Sequence, residues 1–157
     1  ILLDPQYKEM IPLTEAFLYA ASRAQLVSEV IRPALSAGKL VICDRFIDSS
    51  MAYQAAGGGL DQDFIWEINL RAVQGYLPDL TFILDLHPKV SQTRRGQTAG
   101  DRMEQKPLAF HERVREGFLR LANAYPERIH VIDAAQPQNV IFNDVWELIS
   151  PRLSELR

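Results

Sequence analysis

The chain has 157 residues, of which 47% are apolar, with a net charge of −3 and a pI near 5.6. This length predicts one globular domain over residues 1–157. The acidic balance argues against a nucleic-acid polymer as partner, and the lack of an apolar run of about 18 residues argues against a membrane role. The single cysteine, Cys43, offers no disulfide framework and favours a reducing, cytoplasmic location.

Predicted helices and strands alternate along the chain. Apolar residues recur at helical spacing or in short continuous runs, and glycine or proline separates many of the segments. In chain order the pattern predicts a helix at 12–37 that Pro33 bends, a strand at 39–43, helices at 48–57 and 61–76, a strand at 81–86, a helix at 107–124, a strand at 129–133 and a helix at 137–149. Such alternation indicates an α/β fold with a parallel sheet flanked by helices.

The three predicted strands are apolar on both faces, which is typical of interior strands. No segment has the pattern of an edge strand, and the chain opens ILLDP without an initiator Met. We therefore expect neighbouring strands to be missing and the chain to be N-terminally incomplete.

Asp44 and Arg45 follow the first predicted strand directly, within CDRFIDSSMAYQ at 43–54. Ligands bind at the carboxyl ends of the strands in an open parallel sheet. Arg suits a phosphate, and Asp suits a hydrated magnesium ion or a hydroxyl. In the alternative, Asp44 caps the next helix and Arg45 pairs with a surface acid.

Two helix faces carry groups that suit a nucleobase. Ser50, Tyr53 and Gln54 are neighbours at i, i+3 and i+4, and Tyr19 and Arg23 are neighbours at i and i+4. The first face offers a hydroxyl, a ring and an amide, and the second offers a ring beside a guanidinium. The alternatives are an ordinary polar face with a half-buried Tyr, and a core-edge Tyr with a solvated Arg.

The segment 89–106 is basic and contains glycines, although the protein as a whole is acidic. Its basic residues are Lys89, Arg94, Arg95, Arg102 and Lys106. Such a segment suits a lid that closes over phosphates and brings Arg to the transferring group, while a solvated loop is the alternative.

Asp85 and Asp133 also end predicted strands. For each of them, a position in the cleft and a role as a helix cap are both open.

Together these motifs resemble the thymidylate kinase family, of the bacterial kind that carries catalytic arginines in its lid. The family's nucleoside-monophosphate site is similar to LTEAFLYAASRAQLVSEVIRPALSAGKLVICDRFIDSSMAYQ, its next core strand to PDLTFILDL, its lid to RRGQTAGDRMEQ and its adenine loop to VIDAAQP. The resemblance covers essentially the whole chain. It implies a P-loop nucleoside-monophosphate-kinase fold, ATP-dependent phosphorylation of thymidine monophosphate with Mg²⁺, and a homodimer to which the helix at 12–37 contributes.

For the acceptor nucleoside, the resemblance implies that Tyr19 stacks on thymine and that Arg23 hydrogen-bonds its edge. Ser50 and Gln54 would read the polar edge of the base. Tyr53 would crowd the 2′ position of the sugar and so favour deoxyribose.

For the acceptor phosphate the resemblance implies Arg45, with Asp44 beside it holding the metal indirectly through water. Arg94 and Arg95 would reach the transferring phosphoryl group. The residues implied on the ATP side are Arg94, Arg95, Arg102, Ala135 and Gln136.

The chain departs from the family pattern in three places. The lid is slightly shorter and has one arginine fewer, which leaves open whether Arg94 or Arg95 acts. Gly59 stands where the family has an Arg, and the GxxxxGK[ST] phosphate loop with its strand is absent. Two alternatives therefore stay open: a catalytically incompetent fragment that retains a thymidylate pocket, and a nucleoside-monophosphate kinase with another base preference.

Overall fold

The computed structural model describes residues 1–96 and 100–155, without the side chains of residues 95, 154 and 155. The helices are α1 (Pro12–Leu26), α2 (Arg32–Ser36), α3 (Ile47–Ser50), α4 (Gln62–Val73), α5 (Pro88–Arg95), α6 (Leu108–Ala124) and α7 (Gln138–Glu155), with π-helical segments π1 (Val27–Ile31) and π2 (Met51–Gly57) and a 3-10 turn at Pro5–Tyr7. The strands are β1 (Thr81–Asp85) and β2 (Ile129–Asp133). Among the described helices, none has both the length and the hydropathy that crossing a membrane requires.

The two strands pair in parallel, with Thr81 opposite Ile129 and Asp85 opposite Asp133. Both lie where the apolar runs at 81–86 and 129–133 predict strands, and helices pack beside them. The predicted α/β fold with a parallel sheet flanked by helices is therefore confirmed.

The predicted strand at 39–43 is wrong for this structure. The segment is irregular, and its side chains Leu40 and Ile42 are 59% and 86% exposed. A strand needs a hydrogen-bonded neighbour, and the sheet within residues 1–96 and 100–155 consists of β1 and β2 alone. An apolar run shows that a segment suits the interior of a sheet, but partner strands decide whether it becomes a strand.

The predicted helix at 12–37 consists of α1 and α2 with the π-helical segment π1 between them. The wider segment π1 ends two residues before Pro33. Proline donates no amide hydrogen, and in an α-helix its ring clashes with the carbonyl four residues earlier, here that of Glu29. A π-helical turn spaces this carbonyl differently, so the sequence accommodates Pro33 by widening the helix.

Three apolar clusters hold the helices together, and the first of them also includes residues of both strands. The first comprises Ala16, Met51, Ala55, Ile65, Ile83, Leu121, Ala122 and Ile129, the second comprises Val27, Ile31, Ile47 and Val73, and the third comprises Ala52, Met103, Phe110 and Val114. Helix α6 lies very close to π2: a Cβ at Gly117 would be 2.6 Å from the Cβ of Ala56, and one at Gly57 would be 2.6 Å from Val114. These glycines permit the close packing that positions π2.

Asp48 anchors α3 to the start of both strands. Its carboxylate accepts hydrogen bonds from two guanidinium nitrogens of Arg128 at 2.7 and 2.8 Å and from the hydroxyl of Thr81 at 2.8 Å. The side chains of Asp48 and Arg128 are only 4% and 17% exposed. Because Thr81 begins β1 and Arg128 directly precedes β2, this contact positions the segment that follows residue 43.

Candidate functional site

A cleft of about 480 Å³ lies between α1, the segment before α3, π2 and the residues before α6. Its lining includes seven residues that the sequence analysis assigns to the acceptor nucleotide: Tyr19, Arg23, Asp44, Arg45, Ser50, Tyr53 and Gln54. The volume is within the range of small-molecule sites. The structure thus brings together all the predicted acceptor-side residues, from two distant stretches of the chain.

Arg23 is held firmly in the wall of this cleft. It is 8% exposed, and its guanidinium donates to Oδ1 of Asn69 and, at 3.2 Å, to the carbonyl of Phe46. Asn69 in turn donates to the carbonyl of Ile65 at 2.7 Å. Burial lowers the pKa of Arg23 to about 10, so the side chain remains charged at neutral pH. The alternative of a solvated Arg is therefore wrong, and sequence reasoning missed Asn69, a polar residue among apolar neighbours on α4.

Tyr19 lies one helical turn before Arg23 and is half-buried. Burial raises the pKa of its hydroxyl, and the nearby charge of Glu15 raises it further. The hydroxyl therefore stays protonated at neutral pH, and the side chain offers the cleft an aromatic ring and a neutral polar group.

Arg45 has a left-handed backbone, with φ of 65°. For a residue other than glycine this conformation costs about 1–2 kcal/mol. Its guanidinium carbon lies 4.9 Å from the centre of the Tyr53 ring. Burial lowers the pKa of Arg45, but Tyr53 and Asp44 more than offset it, and the net pKa is raised. The surrounding structure thus holds a cation in the cleft against the local backbone preference.

The structure excludes both alternatives given for Asp44 and Arg45, a helix cap and an ion pair with a surface acid. The residue that caps α3 is Phe46, and no side-chain hydrogen bond caps that helix, so Asp44 is not its cap. Within the part of the chain that the structure describes, Arg45 has no ion pair with a surface acid, and its guanidinium lies over the ring of Tyr53.

Ser50 ends α3, and Tyr53 and Gln54 lie in π2, where the sequence predicts one continuous α-helix. The amide of Gly58 donates to the carbonyl of Tyr53 at 2.8 Å, which is the i to i−5 bond of a π-helix. Ser50 and Gln54 are 3% and 2% exposed, so this is not an ordinary exposed polar face. Single π-helical segments are frequent at functional sites.

A buried ion pair supports Gln54. Nε2 of Gln54 donates to Oε1 of Glu15 at 2.8 Å, and Oε2 of Glu15 accepts from the guanidinium of Arg102. All three side chains belong to residues that are at most 5% exposed. Glu15 lies in the first turn of α1, where an exposed acidic residue is common, so the sequence carried no signal that it belongs to a site.

Arg102, which the resemblance places on the ATP side, makes the contacts of a structural residue. Besides Glu15 it binds the carbonyl of Leu2 through Nε at 2.7 Å, and its amide donates to the carbonyl of Leu3 at 2.9 Å. A guanidinium buried in this way is not available to ATP in this structure. We therefore do not retain Arg102 as an ATP ligand.

Of the remaining donor-side residues, Arg94, Ala135 and Gln136 are exposed and do not line the cleft. Arg94 on α5 donates to the carbonyl of Ala134 at 3.0 Å, which brings the predicted lid into contact with the predicted adenine loop. Ala135 and Gln136 follow in that loop and are exposed. The side chain of Arg95 and residues 97–99 of the predicted lid lie outside the described residues.

Asp85 and Asp133, at the carboxyl ends of the strands, do not line the cleft either. Asp85 accepts two hydrogen bonds from Arg115 on α6, at 2.6 and 2.7 Å. Asp133 accepts from the amide of Ala135 at 2.8 Å. Both carboxylates therefore stabilise the ends of the sheet.

The carboxylates in the cleft suit a hydrated Mg²⁺ better than a fully chelated metal. Asp44, Asp101 and Glu104 line the cleft, but the described residues contain no group of three His, Cys, Asp or Glu side chains arranged around one metal position. Mg²⁺ usually keeps several waters and takes one or two carboxylates together with substrate phosphates. The donor set therefore fits the indirect role predicted for Asp44.

Comparisons with known proteins point to one family. A sequence model described as thymidylate kinase matches residues 1–145. The chain is 48% identical over 155 residues to the thymidylate kinase of Deinococcus radiodurans, covering 97% of this chain and 74% of that protein. It is 49% identical over 158 residues to the thymidylate kinase of an Exiguobacterium species, covering 99% and 74%.

A solved structure agrees with these sequence matches. The crystal structure of thymidylate kinase from Ehrlichia chaffeensis superposes with a TM-score of 0.69 at 32% identity, covering 89% of this chain and 65% of that chain. The predicted family and the predicted kinase function are thereby confirmed. The chain belongs to the thymidylate kinase family, whose members are transferases that phosphorylate thymidine monophosphate with ATP in nucleotide biosynthesis and generally use Mg²⁺.

Proposed function

We propose that the cleft of this chain binds thymidine monophosphate as the phosphoryl acceptor. The observation that carries the proposal is the convergence of Arg23, Arg45 and Gln54 on one cleft. Arg23 offers donors and Gln54 an amide to the polar edge of thymine, while Arg45 offers its guanidinium to the 5′-phosphate. Tyr19 supplies a ring on which the base stacks, and Ser50 adds a hydroxyl.

In the proposed transfer, an oxygen of the acceptor phosphate attacks the γ-phosphorus of ATP in line. The bond from that phosphorus to the β-phosphate oxygen breaks, and ADP leaves, so no covalent enzyme intermediate is required. Arg45 neutralises the acceptor phosphate, which allows two anions to approach, and Arg94 and Arg95 balance the charge of the transferring group. Bound Mg²⁺ supplies charge neutralisation at the donor phosphates, and Asp44 would hold it through a water molecule.

On the donor side we propose that a lid carrying Arg94 meets the adenine loop. The hydrogen bond of Arg94 to the Ala134 carbonyl supports a lid that reaches the loop containing Ala135 and Gln136, the proposed adenine contacts. The 157 residues contain no GxxxxGK[ST] motif, which cradles the donor phosphates in P-loop kinases. We therefore expect these 157 residues by themselves to bind thymidine monophosphate without appreciable turnover.

The test is a calorimetric titration of the 157-residue chain with thymidine monophosphate, run beside a coupled assay for ADP formation. Saturable one-site binding without turnover is the expected result. Appreciable turnover would contradict the requirement for the phosphate loop, and a failure to bind would overturn the acceptor site itself.

Two competition experiments test the proposed specificity. Uridine and deoxyguanosine monophosphates should compete weakly, and equal competition by either would favour a kinase of another base preference. The ribose analogue of thymidine monophosphate should also bind more weakly, because Tyr53 is proposed to crowd the 2′ position.

Homodimerisation remains a prediction that the exposed apolar residues of the first long helical segment support. Leu13, Phe17, Val30 and Leu35 of this segment do not line the cleft and are 39–52% exposed. Sedimentation equilibrium of the chain tests for a dimer, and a monomer at all concentrations would contradict it. The cytoplasmic location likewise stays a prediction.

A further inference from the structure

The amide of Gln54 can present only one of its ends to the cleft. The carboxylate of Glu15, bound to the guanidinium of Arg102, is purely an acceptor, so the group of Gln54 that faces it at 2.8 Å has to be the Nε2 donor. The carbonyl oxygen Oε1 is left for the cleft. Among the residues that the structure describes, no donor is bound to this oxygen.

The position of Arg102 does not depend on Glu15 alone. Its Nε and its backbone amide are bound to the carbonyls of Leu2 and Leu3 at 2.7 and 2.9 Å. Every polar hydrogen of a guanidinium is a donor, so whichever atom of residue 15 faces Arg102 has to accept. In the original chain Arg102 and Gln54 therefore both donate to Glu15, Arg102 to Oε2 and Gln54 through Nε2 to Oε1.

We infer that Glu15, held by Arg102, is a positioning residue that sets the base preference of the cleft by fixing the orientation of the Gln54 amide. This inference rests on the proposed binding of thymidine monophosphate. Thymine carries a hydrogen on N3, which pairs with the Oε1 of Gln54. Cytosine has a lone pair on N3, which faces that same oxygen without a hydrogen between them, so deoxycytidine monophosphate binds poorly.

The substitution Glu15→Gln tests the donor and acceptor directions of these hydrogen bonds with almost no change in side-chain shape. Arg102 still requires an acceptor, so the new amide turns its Oε1 to Arg102 and its Nε2 to Gln54. The amide of Gln54 then reverses, accepts from residue 15 and presents Nε2 to the base. In this reversed orientation the Nε2 hydrogen of Gln54 donates to the N3 lone pair of cytosine, whereas it faces the N3 hydrogen of thymine without an acceptor between them.

The measurement is the dissociation constant of the 157-residue chain for thymidine monophosphate and for deoxycytidine monophosphate by calorimetry. We expect Glu15→Gln to reduce the preference for thymidine monophosphate by about tenfold or more. The matched control is Glu67→Gln, the same chemical change at an exposed position of α4, which should leave the preference unchanged. A folded Glu15→Gln chain that keeps the original ratio within about twofold, or that weakens both ligands equally, would overturn the inference.

A second variant covers the case in which Glu15→Gln does not fold. Glu15→Met combined with Arg102→Met removes both charges together, which leaves no unpaired buried ion. The Gln54 amide is then free to turn either way, and the preference for thymidine monophosphate over deoxycytidine monophosphate should fall below that of the original chain. An unchanged preference in this folded double variant would also overturn the inference. If the original chain does not prefer thymidine monophosphate, the proposed function itself fails.

Discussion

The acceptor cleft and the donor side of this molecule are built differently. In the cleft, Arg23, Ser50 and Gln54 are 8%, 3% and 2% exposed, and Arg23 and Gln54 are hydrogen-bonded to other groups of the protein. On the donor side, Arg94 is exposed and makes one described hydrogen bond, to a main-chain carbonyl. The groups proposed to read the base are thus held in place by protein contacts, whereas among the described residues few contacts hold the groups proposed for ATP. Changes to these buried residues of the cleft should therefore affect stability and binding together, and changes to the donor side should leave both almost intact.

Asp48→Ala should produce the largest loss of stability. The substitution leaves the guanidinium of Arg128, which is 17% exposed, without its carboxylate partner. Removing one member of a largely buried pair costs about 3–5 kcal/mol, and urea unfolding measures the loss. Arg71→Ala in the exposed pair with Glu67 on α4 is the control, for which about 0.5 kcal/mol or less is expected. Equal losses from both substitutions would contradict the anchoring role of Asp48.

Arg45→Gly should separate ligand binding from stability within the cleft. The loss of the guanidinium should weaken thymidine monophosphate about 100-fold, or about 2.7 kcal/mol. Stability should change by no more than about 1 kcal/mol, because relief of the left-handed backbone offsets the lost contact with Tyr53. Thymidine, which has no phosphate, is the control ligand: its affinity should not change, and a parallel loss for it would argue against a phosphate contact.

Gly117→Ala should test how closely α6 must approach π2. The new Cβ would lie 2.6 Å from the Cβ of Ala56 and 3.2 Å from the Cα of Ala52, so α6 or π2 has to shift. We expect a loss of about 1–3 kcal/mol in the free energy of unfolding, accompanied by weaker binding of thymidine monophosphate because π2 carries Tyr53 and Gln54. Gly38→Ala is the comparison at an open site, where only the strain of a positive φ applies. If Gly117→Ala were stabilising, the close packing would not be a requirement.

Arg94→Ala should have the smallest effect on the isolated chain. Its side chain is exposed and its one described contact is with the carbonyl of Ala134. The unfolding free energy should change by less than about 0.5 kcal/mol, and the affinity for thymidine monophosphate should stay within about twofold of the original value. A large effect on either quantity would mean that the donor side is as firmly built as the acceptor cleft.

The spacing of apolar residues predicted the long α-helices and both strands of the sheet, because helical spacing places these residues on one buried face of a helix and a short continuous run is typical of a buried strand. It could not distinguish α from π geometry. The widening at π1 depends on Pro33, and the one at π2 accompanies the close packing of Gly57 against α6. Similarly, the apolar run at 39–43 has the composition of a strand but no partner in the described sheet.

The local sequence by itself determined which residue types could serve a nucleotide: the Asp44-Arg45 pair, the Tyr19 and Arg23 spacing, and the polar face at 50–54. Only the tertiary structure decided which of them share a cleft and how each is held. In the folded chain Glu15 binds Gln54 and Asn69 binds Arg23, although no local pattern in the sequence marks Glu15 or Asn69. Arg102 is buried in an ion pair with Glu15 and does not take the ATP-side position that the resemblance implied. The reason is physical: spacing along a helix sets which side chains are neighbours within one element, whereas the partner of a buried charge is set by the elements that pack against it.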